Sequence, residues 1–368
     1  MKIVSWIKKN IVFVIALTAA IVSCFIVLPD KHYIEYFDFK TLTCLFCILA
    51  VVCAFQNIHF FEIIAKIIVG KFQNLRSAIL ALVYITFIAS IFIANDMALL
   101  TFLPLGFFIL KSTGKTRYMA FTFIMQTIAA NLGGMLTPFG NPQNLYLYSY
   151  FNIENMEFMR IMFIPFIISM VLITVCCLFI KPEPLIIKDE EVIKMSIWRM
   201  VIYSILFIFS IAIVFRSIPY YYGLIVIPLS ILFLDKKSLC SVDYPLLFTF
   251  AAFFVFSGNL ARIDVVREFL RSVVEQQTLL SGAISCQFIS NVPSAILLSK
   301  FTTNYQELLV AVNIGGVGTL IASLASLISF REYTKNNHGK ALFFIGRFSV
   351  FNFGFLFVLL LICLLIYR

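Results

Sequence analysis

The residues best suited to do chemistry in this sequence are amides and one carboxylate inside apolar stretches. Asn95 and Asp96 interrupt "FIANDMALLTFL" (residues 92–103), and Asn291 interrupts "FISNVPSAILLS" (residues 288–299). Amide and carboxylate oxygens bind cations, whereas amide N–H groups bind anions. Because polar groups are costly in an apolar interior unless they are partnered, this pattern predicts a buried binding site.

A second pair of motifs consists of interrupted helices. "NLGGMLTPFGNPQNL" starts at Asn131 and "NIGGVGTLIASLASL" starts at Asn313, and the two align at Asn, Gly-Gly and Thr. Irregular backbone at membrane depth is tolerated only where it is buried in protein or lines a water-filled cavity. The motifs therefore predict two broken helices whose half-helix ends point into the protein.

Cap residues indicate where the half-helix after each break begins. Pro142 suits the first turn of a new half-helix with Asn141 as its N-cap, and Thr319 or Ser323 suits the same role in the second motif. Asn95 and Asn291 are expected to cap helices in the same way. Helix N-termini attract anions, and unwound carbonyls with amide oxygens attract cations.

Composition identifies the setting of these motifs as a membrane. The chain has 368 residues, of which 62% are hydrophobic and 12% charged, with a mean hydropathy of +1.01. This is far outside the range of soluble proteins. The alternation typical of β-barrel strands is absent, so the spans must be helices. The net charge of +10 is distributed among short loops, which does not indicate nucleic acid binding. Apolar runs occur at 11–28, 41–55, 158–180, 200–215 and 342–366.

The order of the motifs indicates an internal duplication. Each motif pair follows an amphipathic stretch, residues 57–72 in the first half and 259–276 in the second. Residues 279–290 provide only about 18 Å of helix, too short to cross a ~30 Å hydrocarbon core. They are therefore predicted to form one arm of a re-entrant hairpin with Asn291 at its tip, and symmetry predicts the same around Asn95.

The distribution of Lys and Arg predicts the orientation of the two repeats. Eighteen of the 28 Lys and Arg lie in the segments expected to face the cytoplasm, in agreement with the positive-inside rule. These segments are 1–10, 57–76, 111–117, 181–199, 235–242 and 331–340. Five crossings then separate the hairpins, so the second enters from the opposite side. The predicted fold is an all-α polytopic membrane protein with two inverted-topology repeats. The predicted divisions are an N-terminal repeat 1–180 (hairpin 77–110, broken helix 118–150), a cytoplasmic linker 181–198 and a C-terminal repeat 199–368 (hairpin 278–300, broken helix 305–330).

The predicted site divides into two sets of residues. Asp96, the acidic residue deep within a motif, is the predicted coupling group. No catalytic residue is expected, because the three histidines show no metal-binding spacing and no nucleophile motif is present. Arg216 is expected to snorkel from a helix end. Substrate is assigned to Asn95, Ser290, Asn291, Thr137, Asn141, Asn144 and Thr319. The coupling ion is assigned to Asp96, Asn95, Asn131, Gly133, Asn291, Asn313 and Gly315.

At these residues the sequence resembles the ion transporter superfamily, which includes arsenite permeases, citrate transporters, sodium/proton antiporters and sodium-coupled dicarboxylate symporters. It is most similar to short, uncharacterised bacterial anion-permease-like members, which carry a similar "TPxGNPQN" and "SNVPS". The resemblance implies inverted repeats and often a homodimer with an elevator-like movement. Dicarboxylate symporters carry Ser-Asn-Thr at each tip. Here the tips read Ala94-Asn95-Asp96 and Ser290-Asn291-Val292, so both Thr hydroxyls are missing, and Asn-Asp is more similar to the arsenite permeases.

These observations predict a secondary active transporter for a small anion or oxyanion, either a carboxylate or an arsenite-like species. It would be driven by a proton or sodium gradient through alternating access. No cofactor is expected other than a sodium ion in the case that sodium is the coupling ion. The expected partners are the anion, membrane lipid and a second copy of the chain, and no nucleic acid is expected. The expected location is a bacterial cytoplasmic membrane with the N-terminus inside. The alternatives are a sodium/proton antiporter and, from a different class, a membrane enzyme or assembly factor.

Overall fold

The computed structural model describes residues 10–185 and 196–367. The predicted cytoplasmic N-terminus and most of the predicted linker 181–198 lie outside these residues. Across the described residues the chain is helical apart from turns, loops and one isolated antiparallel bridge between Asn74 and Pro184. The predicted all-α class is therefore confirmed.

The helices are numbered in chain order. The first half contains α1 (Ile11–Ile26), α2 (Phe39–Asn57), α3 (Phe60–Val69), α4 (Leu75–Phe92), α5 (Asn95–Ser112), α6 (Met119–Gly133), α7 (Pro142–Tyr150) and α8 (Asn155–Leu178). The second half contains α9 (Ile197–Val214), α10 (Tyr220–Leu234), α11 (Lys236–Cys240), α12 (Tyr244–Ala261), α13 (Asp264–Gln276), α14 (Thr278–Ile289), α15 (Asn291–Leu298), α16 (Tyr305–Ile314), α17 (Leu324–Asn336) and α18 (Ala341–Ile366). Three short 3₁₀ helices cover Lys31–Tyr36, Thr116–Tyr118 and Gly134–Leu136.

Seven helical segments among the described residues are long and apolar enough to cross a membrane. They are Phe39–Asn57, Leu75–Phe92, Thr116–Leu136, Asn155–Leu178, Ile197–Val214, Tyr244–Ala261 and Ala341–Ile366. The chain is therefore an integral membrane protein. The 12 residues of α14 are too few to cross, whereas the 18 residues of α4 are enough. The re-entrant path of the first hairpin accordingly stays a prediction.

Side-chain caps fix where several helices begin. The Asn74 side chain accepts a hydrogen bond from Ser77 N at the start of α4, and Asp243 accepts one from Leu246 N at the start of α12. Each cap satisfies one of the N–H groups that a helix start leaves without an intrahelical partner. The first hairpin therefore begins at a defined residue.

The two halves pack in a reciprocal way around the centre. Both arms of the first hairpin, α4 and α5, contact α6, and both arms of the second, α14 and α15, contact α16. Contacts also cross between halves, because α5 packs on α17 and α15 packs on α7. Each hairpin thus touches the half-helix of the other half, an arrangement compatible with the predicted inverted repeat.

Candidate functional site

Both broken helices are interrupted in the same register. The first leaves α6 at Gly133 and resumes as α7 at Pro142, and the second leaves α16 at Ile314 and resumes as α17 at Leu324. When Asn131 is aligned with Asn313, Pro142 falls on Leu324, so both half-helices begin at equivalent positions. In each half, the Gly-Gly pair and the loop after it thus interrupt the helix at the same position of the motif.

The two half-helices are capped differently. Ser323 is the N-cap of α17, and its hydroxyl accepts a hydrogen bond from Ser326 N at 3.2 Å, which decides the predicted alternative between Thr319 and Ser323. Asn141 is the N-cap of α7 but makes no side-chain cap bond. The predicted N-cap position is confirmed, although the side-chain nitrogen of Asn141 donates elsewhere, to Asn131 O at 3.1 Å and to Asn313 Oδ1 at 3.3 Å.

The hairpin tips use their asparagines in the same way. Asn95 Oδ1 accepts from Asp96 N, and Asn291 Oδ1 accepts from Val292 N, each at 2.9 Å. The helices begin at these asparagines, with Ala94 and Ser290 as the preceding N-cap residues. The prediction that the asparagines are N-caps is corrected by one position, although their side chains still bond a free N–H of the first turn.

A buried polar network joins the two halves. Asn131 accepts from Asn95 Nδ2 at 2.8 Å and donates to Ser323 Oγ at 3.0 Å. Because Ser323 aligns with Asn141, the Asn131–Ser323 bond is the counterpart of the Asn141–Asn313 bond. We call this set the amide network, and its buried members are Asn95, Asn131, Asn141, Gln143, Asn144, Asn313 and Ser323.

Asn313 is the point where the network is densest. Its Oδ1 accepts from Asn141 and, at 3.4 Å, from Gln143 Nε2, while its Nδ2 donates to Asn144 Oδ1 at 2.6 Å. Asn144 in turn donates to the carbonyl of Thr137 at 3.2 Å, inside the first break. Five of the predicted site residues, Asn95, Asn131, Asn141, Asn144 and Asn313, therefore belong to one network.

Two predicted substrate residues, one in each half, join the hairpin of that half to its broken helix. Thr137 Oγ1 donates to Ile91 O at 2.5 Å, and Thr319 Oγ1 donates to Gln287 O at 3.0 Å. Ile91 and Gln287 both lie four residues before the tip asparagine, so these bonds are also counterparts. In the described conformation, both hydroxyl protons are committed to backbone carbonyls.

The predicted coupling-ion glycines lie where a hairpin arm crosses a broken helix. A Cβ on Gly133 would lie 2.2 Å from Phe87 O on α4, and one on Gly315 would lie 2.9 Å from Cys286 Sγ and 3.0 Å from Ala283 Cα on α14. The Gly315 carbonyl accepts from Gln287 Nε2 at 2.9 Å. Only glycine permits this close approach, so the two positions set the distance between arm and break.

The second tip is bonded to the second break. Asn291 N donates to Ala322 O at 2.9 Å, and Ser290 Oγ donates to the same carbonyl at 3.3 Å. Ser290 has φ +75° and ψ 160°, a backbone conformation that residues other than glycine rarely adopt. Each tip is therefore bonded to the broken helix of its own half, the second through Asn291 N and Ser290 Oγ and the first through the Asn95 side chain.

Three oxygens near the first tip and first break are buried and have no hydrogen-bond partner among the described residues. They are Asp96 Oδ1, Asn141 Oδ1 and Gln143 Oε1. A buried acceptor without a partner costs about 1–3 kcal/mol. Carboxylate and amide oxygens are also the ligands that hard cations prefer. The arrangement can thus accept a cation, or a proton on Asp96.

Three side chains, those of Gln143, Gln287 and Arg216, make contacts that local sequence patterns do not predict. Gln143 lies within the quoted motif, but local rules assign it no role, and Gln287 occupies a position that is Ile91 in the first half. Arg216 does not snorkel: its Nη2 donates to Tyr148 O at 2.8 Å, and its guanidinium lies 4.4 Å from the Tyr148 ring centroid. It thus binds the last turn of α7, where a cation is favoured by the helix dipole.

Similarity to known proteins agrees with this architecture. A citrate transporter family model matches residues 2–307, which include both tips and the first broken helix. The chain is 32% identical over 337 residues to the uncharacterized transporter MJ0456 of Methanocaldococcus jannaschii, covering 91% of this chain and 90% of that protein. It is 27% identical over 320 residues to the inner membrane protein YbiR of Escherichia coli, covering 84% of each chain.

Proposed function

The chain belongs to the citrate transporter family and is a membrane transporter, and we propose that it moves a small anion or oxyanion by secondary active transport. The substrate is a carboxylate or an arsenite-like species, and a proton or sodium gradient drives it through alternating access. The transporter lies in a cytoplasmic membrane with its N-terminus inside and works as a homodimer.

The observation that carries this proposal is the amide network with its unpartnered oxygens. Asn141 Oδ1 and Gln143 Oε1 are buried without partners, and both side chains bond Asn313 through their nitrogens. Their oxygens are thus free to bind a cation at the junction of the two halves. A cation bound there would supply the positive charge that a nearby anion needs, together with the half-helix N-termini.

The proposed roles follow the positions of the side chains. Asp96, which is 4% exposed, binds the coupling ion at the first tip. The substrate is bound by Asn95, Ser290, Asn291, Thr137, Asn141, Asn144 and Thr319. The cation site is completed by Asn131, Gly133, Asn313 and Gly315. For Thr137 and Thr319 this role requires the hydroxyls to leave the carbonyls of Ile91 and Gln287 during the transport cycle.

The test is a ligand screen on the purified protein followed by uptake into proteoliposomes. Citrate, dicarboxylates, phosphate, sulfate and arsenite are compared with and without sodium at two pH values. A ligand that binds only the folded state at a hundred times its dissociation constant stabilises it by about 2.7 kcal/mol. We expect one anion class to raise the melting temperature and to be taken up along the matching ion gradient. Failure of every anion in both assays would contradict the proposal.

A sodium/proton antiporter is the second candidate, and the buried Asp96 Oδ1, which has no hydrogen-bond partner among the described residues, favours it. In that case sodium or pH alone would stabilise the protein, and a sodium gradient would drive proton flux without any anion. Loss of this exchange in an Asp96→Asn variant, in a protein that takes up none of the tested anions, would support the antiporter.

A further inference from the structure

A cavity of about 450 Å³ lies between α2, α3 and the second arm of the first hairpin, α5. Its walls include Gln56 at the end of α2, His59 and Glu62 around the start of α3, and Leu100 and Thr101 on α5. None of these residues belongs to the amide network. The cavity is therefore a separate feature that the proposed substrate site does not use.

The cavity lies next to the helical turn that carries Asp96. Leu100 follows Asp96 by four residues, so the two side chains lie on the same face of α5, one turn apart. Leu100 is 54% exposed, whereas Asp96 is 4% exposed and its Oδ1 has no partner in the described part of the chain. Pro104 also lines the cavity and has no N–H, so it cannot donate to the Leu100 carbonyl as a helix requires.

One amide joins the cavity wall to the turn of Asp96. Gln56 Nε2 donates to Thr101 Oγ1 at 3.2 Å and to Met97 O at 3.4 Å, and Met97 is the residue after Asp96. These bonds are long and neutral, so each contributes about 1 kcal/mol or less to stability. Gln56 can therefore turn away from α5 at little cost.

Titratable side chains surround the outer part of the cavity. His59 Nδ1 lies 3.1 Å from Glu62 Oε2, and Glu62 Oε1 lies 3.4 Å from Lys66 Nζ. The His59 side chain is 55% exposed. The groups in electrostatic range of Asp96 are the half-buried Asp243 carboxylate before α12 and the buried Cys53 thiol on α2. Polar and titratable groups thus lie both around the cavity and beside the buried carboxylate.

The side of the membrane follows from the same segments. His59, Glu62 and Lys66 belong to residues 57–76, which are predicted to be cytoplasmic. At this end of α2, Asn57 Nδ2 donates to Asp235 Oδ2 at 3.1 Å, and Asp235 begins another segment predicted to be cytoplasmic. The cavity mouth therefore faces the cytoplasm.

We propose that this cavity is the cytoplasmic entrance through which the coupling ion, a proton or a sodium ion, reaches Asp96, with Gln56 as its inner gate. This inference rests on the proposed function in two respects, that Asp96 binds the coupling ion and that the N-terminus lies in the cytoplasm. It adds the route, the gate and the side of entry.

The test uses cysteine labelling at Leu100, with Ile88 as the matched control. Ile88 lies on the other arm of the same hairpin and is 52% exposed, close to the value for Leu100. Leu100→Cys and Ile88→Cys are made in a background in which Cys24, Cys176 and Cys240, the native cysteines that are not buried, are replaced by Ser. Inside-out and right-side-out vesicles are treated with a membrane-impermeant trimethylammonium methanethiosulfonate reagent.

We expect Leu100→Cys to react from the cytoplasmic face at least about tenfold faster than Ile88→Cys, because thiol reactivity follows access to water. Labelling should also slow ion flux into proteoliposomes, followed with an internal pH dye and with sodium. Gln56→Leu, which replaces the polar gate with an apolar one, should slow the same flux without preventing the reaction at position 100.

Three other results would contradict the inference. Equal labelling at the two positions, or labelling of Leu100→Cys only from the opposite face, would overturn the cavity as a cytoplasmic entrance. Labelled Leu100→Cys protein with undiminished flux would overturn the route and leave the proposed transport intact. An unmodified protein that moves neither protons nor sodium would overturn the proposed coupling and, with it, this inference.

Discussion

The two hairpin tips occupy matched positions but differ in charge and in backbone strain. The first tip carries the Asp96 carboxylate, where the second has Val292. The second tip has the unfavourable backbone angles of Ser290, where the first has Ala94 at φ −53°. One tip therefore has the ionisable group and the other has the strained turn. The comparison suggests that the first tip binds the coupling ion and the second acts mainly through its shape.

The bases of the hairpins, where the two arms end away from the tip, differ as well. At the first base, Glu183 forms ion pairs with Lys115 and Arg117 and accepts a hydrogen bond from Tyr118 at 2.9 Å. At the second base, the hydroxyls of Thr278 and Thr302 lie 3.2 Å apart. Charge thus holds the first base and neutral hydroxyls help to hold the second.

The largest effect should come from removing the charge of the first tip. Asp96→Asn keeps the shape of the side chain but removes its charge, and we expect gradient-driven uptake to fall about a hundredfold. This corresponds to the roughly 1.5–3 kcal/mol of a hydrogen bond to a charged group, at 1.36 kcal/mol for each factor of ten. The measurement is the initial rate of uptake into proteoliposomes under an imposed ion gradient.

Val292→Asn is the matched control, because it places the same amide at the equivalent position of the second tip. We expect its uptake rate to stay within about threefold of the unmodified protein, since no ionisable group is lost. If both variants lost activity equally, the difference between the tips would have no functional meaning.

The next effect concerns the network that both halves share. Asn131→Ala removes the partner of the Asn95 amide and a partner of the Ser323 hydroxyl, and Asn313→Ala removes a partner of the Asn141 and Asn144 amides, so each should lower the free energy of unfolding by about 1–3 kcal/mol. Melting of the detergent-purified protein measures this loss. Similar losses would show that the two halves contribute equally, and a loss for only one would show that the network depends on that half.

Asn352→Ala provides a control outside the network. Asn352 is also buried, but it donates only to Phe348 O within its own helix, and its Oδ1 already lacks a partner. Its removal leaves no side chain of another helix unpaired, so we expect a smaller loss of stability than at Asn131. An equal loss would mean that any buried Asn in these helices has the same effect.

The positions of the breaks and tips follow from local sequence. Pro142 restricts the backbone and Gly133 permits close packing, and an isolated Asn in an apolar stretch can be recognised without knowing the fold. The bond between Asn141 and Asn313 could not be derived in this way, because it joins residues separated by 172 positions. The local capping rule gave the correct N-cap position for Asn141, but it could not show which acceptors its side-chain nitrogen bonds.

Arg216 shows the same limit. Its distance from the end of α9 predicted snorkelling, but the Tyr148 carbonyl that it bonds is supplied by packing between distant segments. The cavity beside Asp96 likewise depends on how α3 packs on α5, which the amphipathic pattern of α3 alone does not determine. Local patterns thus located the groups, and only the packed structure shows their partners.

A smaller effect should come from the strain at the second tip. Ser290→Gly removes an unfavourable left-handed conformation, so we expect the free energy of unfolding to rise by about 1 kcal/mol. Ala94→Gly is the matched change at the first tip, where φ is negative, and it should lower stability by about 0.5–1 kcal/mol. Thermal melting of both variants measures the difference, and the same sign at both tips would contradict the strain.

The smallest effect should be local to the first hairpin base and should depend on pH. Hydrogen bonds from Lys115 and Tyr118, together with the charge of Arg117, lower the pKa of Glu183 to about 2 from its usual 4.5. Because the pKa is lower in the folded state, the stabilisation is complete above pH 4.5 and is lost as the pH falls towards 2. Hydrogen exchange of residues 73–76 and 115–118, corrected for intrinsic rates, should therefore accelerate between pH 5 and pH 2.5.

Glu183→Gln separates this effect from general acid unfolding. The variant has no carboxylate at the base, so its exchange should be faster at pH 5 and should change less between the two pH values. The second base, around Thr278 and Thr302, should respond less in either protein, because its carboxylate, Glu307, accepts a hydrogen bond from Leu279 N at 3.0 Å and forms no ion pair among the described residues. Acceleration of both bases together in the unmodified protein would mean that the two hairpins open as one unit and that the charge at the first base does not distinguish them.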